Sequence, residues 1–538
     1  MALSETGNET AAAGADGYAR VAALSALTER GRMVVRPGAR QIALFHGPRG
    51  VFACNNRCPH EGYPLIEGTI ANDCVLTCNW HAWRFDLGNG DNLTGGDRLR
   101  TYPVRIDGDD ILLDLSDPPA EERIATAMTN LRGAFDDHEY DRLAREIARL
   151  QQAGGDAMDA LRAAVRWSHD RFEFGTTHAY AAAPDWLAIR DKHAHDDATR
   201  LAPVVEAIGH MAWDSLREPA YAYADKVERY DEAAFLAAIE AEDEAAAIAR
   251  LRGALADGMD FAALERPLTQ AALAHYQGFG HAAIYVLKTG QLIDRLGPEA
   301  AEPMLLALVR YLTSTRREDL IPEFRNYAEA RDAWDGTGDA RLTADDFAGL
   351  SVNRALARAL EGSGDVQMLY HALLGAGAWN FLHFDTGMQA SLDAPVSRNI
   401  DWLDFTHAIT FANAVRRQCA KFPEFWPQGL LQMACFAGRN AGFLDRDVDA
   451  ADWAVIDARA FLQSGIDRLF DHGEFEYIVS CHYVKLLTAV RDEIEAAPAA
   501  PWTRTLLAAL NRFMHSSIKR KHVTRTARQA LDFVALEG

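Results

Sequence analysis

The segment CPHEGYPLIEGTIANDCVLTCNWH, from Cys58 to His81, constrains the fold more than any other part of this 538-residue chain. It opens with Cys-x-His and closes with Cys-x-x-His, and seventeen residues separate the inner pair, His60 and Cys78. Thiols and imidazoles at such short spacings are typical metal ligands. For all four to bind one centre, two loops must face each other. The segment therefore predicts a small domain that carries a metal centre between two loops.

The mixed order of the ligands favours an iron–sulfur centre whose two irons have unlike ligands. A cluster held by four thiolates is strongly negative, whereas two neutral imidazoles on one iron remove charge and raise the reduction potential. Loops that each offer a Cys and a His allow one iron to take both sulfurs and the other both nitrogens. The alternative is a structural zinc site of the Cys2His2 type, although such sites usually keep like ligands in adjacent pairs.

Two stretches of this segment and its continuation, CPHEGYPLIEG and CNWHAWRFDLGNGDN, resemble the Rieske domain of bacterial Rieske-type ferredoxins and ring-hydroxylating oxygenases. The resemblance covers about residues 18–116. It implies a Rieske 2Fe–2S cluster with the ligands Cys58, His60, Cys78 and His81. In respiratory Rieske proteins two further loop cysteines form a disulfide, and Tyr63 and Trp80 occupy those places here. This difference favours the ferredoxin and oxygenase branch, which has the lower potential.

The periodicity of the chain predicts a multi-domain protein, an N-terminal all-β Rieske domain followed by a large all-α domain. Short β-branched or apolar runs between Gly, Pro, Asn and Asp turns fill residues 18–116. Residues 1–17 are small and polar, which predicts a disordered tail, and residues 117–125 around a Pro-Pro pair predict a linker. Residues 126–538 carry apolar side chains at three- and four-residue spacing, typical of helices.

Five segments of the helical part share a form, in which one histidine lies among small and apolar residues. These histidines are His178, His281, His371, His407 and His482. A lone histidine on an apolar helix face is usually a core residue with one hydrogen bond, but five in like surroundings could converge on a metal or a polar substrate. Asp404, three residues before His407, could add a carboxylate to the same iron. The alternative for Asp404 is an exposed residue at a helix start.

The helical part also resembles the questin oxidase-like family over about residues 130–535. The resemblance rests on GFGHAAIYVLKTGQLIDRLG, MLYHALLGAGAWNFL, DWLDFTHAITFANAVRRQC and YIVSCHYVKLLTAVRD. It implies a helical oxidoreductase that oxygenates polyketide-derived rings in Baeyer–Villiger fashion with NADPH, and it points to the same five histidines. The Asp-x-x-His-x4-His iron motif of standard Rieske oxygenases is absent from the sequence. No Gly-x-Gly-x-x-Gly is found, so no flavin or NAD(P) fold is predicted.

Charge and composition narrow the expected partners. Lys plus Arg number 55 and Asp plus Glu number 77, which gives 55 − 77 = −22, so nucleic acid and anionic membranes are poor partners. No signal peptide or membrane span is predicted, and seven cysteines in a chain this long are typical of the reducing cytoplasm.

These features together favour an oxidoreductase, specifically an oxygenase. Its cluster would accept electrons from a ferredoxin or a flavoprotein NAD(P)H reductase. It would pass them to a site in the helical domain where O2 meets a hydrophobic, aromatic or polyketide-like substrate, with a mononuclear or dinuclear iron as a further cofactor. Two alternatives remain open at this point. One is a non-catalytic electron-transfer protein with a helical docking scaffold, and the other is a redox sensor.

Overall fold

The structure is a computed structural model that describes residues 17–71, 74–518 and 522–537. The predicted disordered tail therefore lies outside the described residues, apart from Gly17. Contacts between residues divide the chain into two compact units, Met1–Asp156 and Ala157–Gly538.

The first unit begins with a small antiparallel β domain, in agreement with the prediction. Its described strands are β1 (Tyr18–Ala23), β2 (Arg32–Val35), β3 (Ile42–Gly47), β4 (Gly50–Asn55), β5 (Thr69–Ile70), β6 (Val75–Thr77), β7 (Arg84–Asp86), β8 (Thr101–Tyr102), β9 (Val104–Asp107) and β10 (Asp110–Asp114). They form three sheets with the orders β1-β10-β9, β2-β3-β4-β8 and β5-β6-β7. A short helix, α1 (Leu24–Arg30), interrupts the predicted all-β pattern between β1 and β2.

The sheet β5-β6-β7 and the two ligand loops share a buried core with part of β3. That core is formed by Ala43, Phe45, Cys54, Cys58, Leu65, Ile66, Leu76, Cys78, Phe85, Leu87 and Leu99. The loop carrying Cys58 precedes β5, and the loop carrying Cys78 joins β6 to β7. Both ligand cysteines are therefore members of the core, which fixes the loops against the domain.

The first unit continues beyond the β domain into a helical hairpin, α2 (Ala120–Asp136) and α3 (Tyr140–Gln152). The sequence pattern places these residues in a linker and in the helical domain, with a boundary near residue 116. The compact unit instead extends to Asp156. A buried ion pair gives the physical reason, since Arg142 of α3 donates from Nε to Asp97 of the β domain at 2.9 Å.

The second unit is helical, as predicted. Its described α-helices are α4 (Ala157–Ser168), α5 (His178–His193), α6 (Asp197–Asp214), α7 (Glu232–Glu240), α8 (Glu244–Ala256), α9 (Phe261–Leu273), α10 (His281–Leu296), α11 (Ala301–Ser314), α12 (Asn326–Asp332), α13 (Val352–Glu361), α14 (Val366–Leu382), α15 (Gly387–Ala390), α16 (Trp402–Lys421), α17 (Trp426–Asn440), α18 (Ala458–Leu469), α19 (Tyr477–Ala496), α20 (Thr503–His515) and α21 (Val523–Ala535). Among the described residues, none of the helices combines the length and the hydropathy needed to cross a bilayer.

Four of these helices form a closed ring of contacts at the centre of the second unit. Helix α5 packs against α10 and α19, and α16 packs against the same two helices. Each of the four carries one of the predicted histidines within its first two turns. Helix α5 begins at His178 and α10 begins at His281, whereas His407 and His482 are each the sixth residue of their helix. The ring therefore brings the amino-terminal parts of four helices to one place.

Candidate metal centres

The two cysteine–histidine loops of the first unit have the same backbone conformation. In the first loop, the N–H of Cys58 donates to the carbonyl of Tyr63 at 2.9 Å. In the second loop, the N–H of Cys78 donates to the carbonyl of Trp83 at 2.8 Å. Each bond closes a loop of the same length behind the ligand cysteine. The sequence pattern Cys-x-His and Cys-x-x-His thus becomes two equivalent turns that present unlike ligands.

A residue with positive φ completes each turn. Gly62 has φ 74° and its N–H bonds the carbonyl of Cys58 at 2.8 Å, while Ala82 has φ 58° and bonds the carbonyl of Cys78 at 3.0 Å. The left-handed conformation suits glycine and strains alanine. Both turns adopt it because it directs the chain back past the ligand cysteine.

The four ligand side chains are arranged as two inner sulfurs and two outer nitrogens. Cys58 and Cys78 are 3% and 2% exposed, whereas the ring of His81 reaches the surface. The Nδ1 atoms of His60 and His81 lie 3.1 Å apart. One metal ion can therefore take both nitrogens while a second takes both sulfurs.

The electrostatics of the buried thiols support a metal centre at this position. Burial raises the pKa of Cys58 to about 12, and the neighbouring Cys78 adds to this rise. Burial therefore disfavours the Cys58 thiolate in the absence of a cation, whereas a thiol that coordinates a metal is deprotonated outright. The donor set and its arrangement thus fit a 2Fe–2S cluster with two sulfur and two nitrogen ligands.

Aromatic rings surround the ligand loops. His60 stacks on Trp83 with ring centroids 4.5 Å apart and an angle of 14° between the planes. Gly96 lies against the same indole, because a Cβ there would be 2.6 Å from the Trp83 ring. Tyr63 and Trp80 occupy the two places that a disulfide joins in respiratory Rieske proteins. The centroids of their rings lie 5.4 Å apart. An aromatic contact therefore joins the two loops here.

The remaining cysteines of this region do not add ligands. Cys54 lies in β4 and is fully buried in the core, and Cys74 is 1% exposed. Both are free thiols.

In the second unit, four of the five predicted histidines converge in the ring of helices. The Nε2 atoms of His178 and His281 lie 3.1 Å apart, and those of His407 and His482 lie 3.2 Å apart. The centroids of the His281 and His407 rings are 4.3 Å apart, which joins the two pairs into one cluster. Ligand atoms of His178, His407 and His482 all lie within 4.8 Å of one another. We call these four residues the four-histidine cluster.

Each of the four imidazole rings also has a contact with a main-chain carbonyl or a hydroxyl of the protein. His281, His482 and His407 bond the main-chain carbonyls of Gly278, Ile478 and Leu403, respectively. For His281 and His482 the bonded atom is Nδ1, which must carry the proton, so Nε2 keeps its lone pair. The Nδ1 of His178 instead lies 3.2 Å from the hydroxyl of Tyr285. Such second contacts orient metal-binding histidines.

Burial keeps the cluster uncharged. Burial lowers the pKa of all four imidazoles, that of His281 to about 4, and the nearby Lys485 lowers them further. Lys485 is itself fully buried, and burial lowers its pKa as well. His178 and His281 each begin a helix, and the positive amino-terminal end of that helix also disfavours a protonated ring. Nε2 atoms about 3 Å apart can share a proton in a hydrogen bond, and the same nitrogens can bind a metal cation when that proton is absent.

His371 and Asp404 do not join the cluster. His371 lies on α14, where its Nδ1 accepts a bond from the indole of Trp502 at 3.1 Å. Asp404 forms a helix cap, since its carboxylate accepts the N–H of Asp401 at 2.9 Å, and it pairs with Arg439 at 3.0 Å. The cluster therefore contains imidazoles only, because the predicted carboxylate is engaged at the start of α16.

The sequence analysis missed two residues beside the cluster, Tyr285 and Lys485. Tyr285 lies four residues after His281 on α10, and Lys485 lies three residues after His482 on α19. Positions three and four residues apart share a helix face. That spacing is the signal that could have revealed them.

The fold and the loops of the first unit define a class of protein, an electron-transfer domain with mixed cysteine and histidine ligands. Residues 18–103 match the family of the Rieske [2Fe-2S] domain. The chain belongs to this family through that segment. The family carries an iron–sulfur cluster, so the zinc alternative is set aside.

Part of this chain is similar to ferredoxins of dioxygenases. The 3-phenylpropionate/cinnamic acid dioxygenase ferredoxin subunit of Escherichia coli (strain K12) is 40% identical over 76 residues, which are 14% of this chain and 72% of that protein. The subunit from Shigella boydii serotype 4 (strain Sb227) gives the same values. Among solved structures, the ferredoxin of carbazole 1,9a-dioxygenase from Nocardioides aromaticivorans IC177 is 27% identical. The match covers 18% of this chain and 95% of that ferredoxin, with a TM-score of 0.17.

Proposed function

We propose that this protein is an oxygenase in which the Rieske domain delivers single electrons to an oxidation site at the four-histidine cluster. The observation that carries the proposal is the cluster itself. Four imidazoles converge with Nε2 separations of 3.1 and 3.2 Å, and each ring has a second contact that orients it. Unrelated core histidines would be expected to lie apart, each with its own hydrogen bond. The relatives from Escherichia coli and Shigella boydii are dioxygenase ferredoxin subunits, which supports an electron-transfer role for the first unit.

The chemistry of the donor set favours a single iron. Imidazole suits iron, zinc and copper, and the presence of a Rieske domain in the same chain favours a metal that changes its redox state. A bound iron would supply the redox centre at which O2 is reduced. Insertion of one oxygen atom into an organic substrate, with release of the other as water, consumes two electrons and two protons. A one-electron carrier would deliver those electrons in two steps.

The residues of the chain have defined tasks in this proposal. His178, His281, His407 and His482 hold the metal, and the rings of His407 and His482 are buried while His178 and His281 are partly exposed. Lys485 places a buried amine near the site, and burial lowers the pKa of that amine. The apolar helices around the cluster suit a hydrophobic, aromatic or polyketide-like substrate. The resemblance to questin oxidase-like proteins, noted from the sequence, agrees with this substrate class.

The sequence contains no Gly-x-Gly-x-x-Gly motif, so no flavin or NAD(P) fold is predicted in this chain. The electron donor is therefore a separate protein, a ferredoxin or a flavoprotein NAD(P)H reductase. The exposed side of His81 and the neighbouring Trp80, which is 61% exposed, offer a path from such a partner to the ligand loops.

Iron and acid-labile sulfide measured per chain test the proposal on the full chain, purified anaerobically. We expect about three irons for every two sulfides, since the Rieske cluster accounts for two irons and two sulfides. A ratio of one iron to one sulfide, with no other metal bound, would contradict the proposal and favour the docking scaffold or the redox sensor.

The contact between Tyr285 and His178 gives a prediction about metal affinity. The variant Tyr285→Phe removes the hydroxyl that lies 3.2 Å from Nδ1 of His178, so this ring loses its orienting contact. Loss of such a contact typically weakens metal binding about 10–100-fold. Competition with a chelator for Fe2+ measures the change. Tyr311→Phe is the matched control, because the Tyr311 ring packs 4.7 Å from the Tyr285 ring while its hydroxyl bonds the side chain of Thr315. Equal affinities of the two variants would contradict the assigned role of Tyr285.

A further inference from the structure

The helical hairpin α2–α3 is fastened to the β domain by a buried ion pair beside the ligand loops. The side chains of Arg142 and Asp97 are 7% and 0% exposed, and both Nε and an η nitrogen of Arg142 donate to the same carboxylate oxygen. A buried pair of this kind holds its geometry, because breaking it leaves an unpaired buried charge. Helix α3 therefore has a fixed position against the β domain.

One turn further along α3, Arg145 reaches the cluster loop. Its guanidinium donates to the main-chain carbonyl of His60, a ligand of the Rieske cluster. The Nε of Arg145 is buried and has no hydrogen-bond partner among the described residues. The other side of His60 stacks on Trp83. Trp83 thus contacts the ring of His60, and Arg145 contacts its main-chain carbonyl.

Packing alone does not explain this contact. A cavity of about 870 Å³ lies within the first unit, lined by Cys58, Pro59 and Gly62 from the ligand loop and by Arg145 and Arg149 from α3, among others. The hairpin therefore does not cover the loop with close-packed apolar side chains on this side. Instead, a charged side chain extends across the edge of the cavity to a single carbonyl.

Among the residues that the structure describes, no carboxylate forms a salt bridge with Arg145, although Glu122 and Asp141 line the same cavity. Glu146 is buried, but its partners are Arg149 and Asn130. Glu61 lies in the ligand loop with its side chain 54% exposed, and its carboxylate lies 3.9 Å from Nδ1 of His81. Solvent screens the exposed Glu61 carboxylate far more than it screens the half-buried guanidinium of Arg145, which contacts the main chain of His60.

We propose that Arg145 is a positioning residue for the Rieske cluster, which fixes the His60 loop and raises the reduction potential of the cluster. Reduction adds one negative charge to the cluster, and a nearby cation stabilises the reduced form. Charge and hydrogen bonds around an iron–sulfur cluster are among the factors that set its potential. The helical hairpin beyond the β domain thus contributes to the redox property of the domain. This inference does not depend on the function proposed for the second unit.

The midpoint potential of the full chain, measured by a redox titration followed by electron paramagnetic resonance, tests the proposal. Arg145→Gln and Arg145→Met remove the charge with side chains of different packing. We expect each of these two variants to lower the midpoint potential by about 59 mV. For a one-electron couple, this shift lowers the ratio of reduced to oxidised cluster at a fixed potential about tenfold. Arg145→Lys keeps the charge and is expected to retain most of the potential. Arg132→Gln is the matched control, since Arg132 lies on the same hairpin and pairs with Asp136.

Each outcome decides the matter. A midpoint in either neutral variant equal to that of Arg132→Gln overturns the proposal. Loss of the cluster from both neutral variants, with the cluster kept in Arg145→Lys, supports it, because the cation is then required at this place. Loss of the cluster from all three Arg145 variants indicates a role in packing only and overturns the proposal.

Discussion

A chain carrying Cys78→Ala is expected to contain no 2Fe–2S cluster and to lose its brown colour. Cys78 is one of two buried thiols that must ionise to bind iron, and its turn presents His81 as well. With one thiolate missing, an iron loses one of its two protein ligands. The remaining thiol, Cys58, is buried, and burial raises its pKa. Visible absorption together with iron and sulfide content measures the loss.

Cys54→Ala is the matched control for this prediction. Cys54 is also buried, four residues before the first ligand cysteine, but it lies in strand β4 and faces the core. The control is expected to keep the full cluster at a cost of about 1 kcal/mol in stability. A Cys78→Ala chain with the iron and sulfide of the control would show that Cys78 is not a ligand.

The cluster site could be predicted from the sequence because its determinants are local. Cys58, His60, Cys78 and His81 all lie within 24 residues, and the short spacings within each turn leave few possible geometries. The all-β and all-α parts were likewise predictable, since alternation and helical periodicity are properties of neighbouring residues. The end of the first unit was not predictable. It depends on the pairing of Asp97 with Arg142, which are separated by 45 residues and carry no periodic signal.

The histidines of the second unit show the same limit. His371 has local surroundings like those of His178, but its helix α14 is not one of the four that form the ring, and only tertiary packing decides this. Asp404 is different, because its role was visible in the sequence. Asp401 and Asp404 have the three-residue spacing of a capping box, and the structure shows both bonds of that box. The carboxylate is an element of helix α16 and not of the cluster.

Replacement of His407 by Ala is expected to abolish substrate oxidation while the Rieske cluster remains intact. His407 links the two histidine pairs, since its Nε2 lies 3.2 Å from that of His482 and its ring lies 4.3 Å from that of His281. Removal of this imidazole leaves a gap between the pairs, so the site should lose its iron, about one per chain. The iron to sulfide ratio should then fall to that of the Rieske cluster alone, with an unchanged paramagnetic resonance signal.

Two further variants separate loss of a ligand from loss of the fold. His407→Gln keeps a polar side chain of similar length in the ring of helices, and is expected to lose the iron with a smaller effect on stability than the roughly 1–3 kcal/mol of the alanine variant. His371→Ala removes a histidine with similar sequence neighbours that bonds Trp502 outside the cluster. It should keep the iron and the activity. Full iron content in His407→Ala, or equal losses in His371→Ala, would place the oxidation site elsewhere. Loss confined to the His407 variants would instead identify the convergence of imidazoles as the feature that binds the metal.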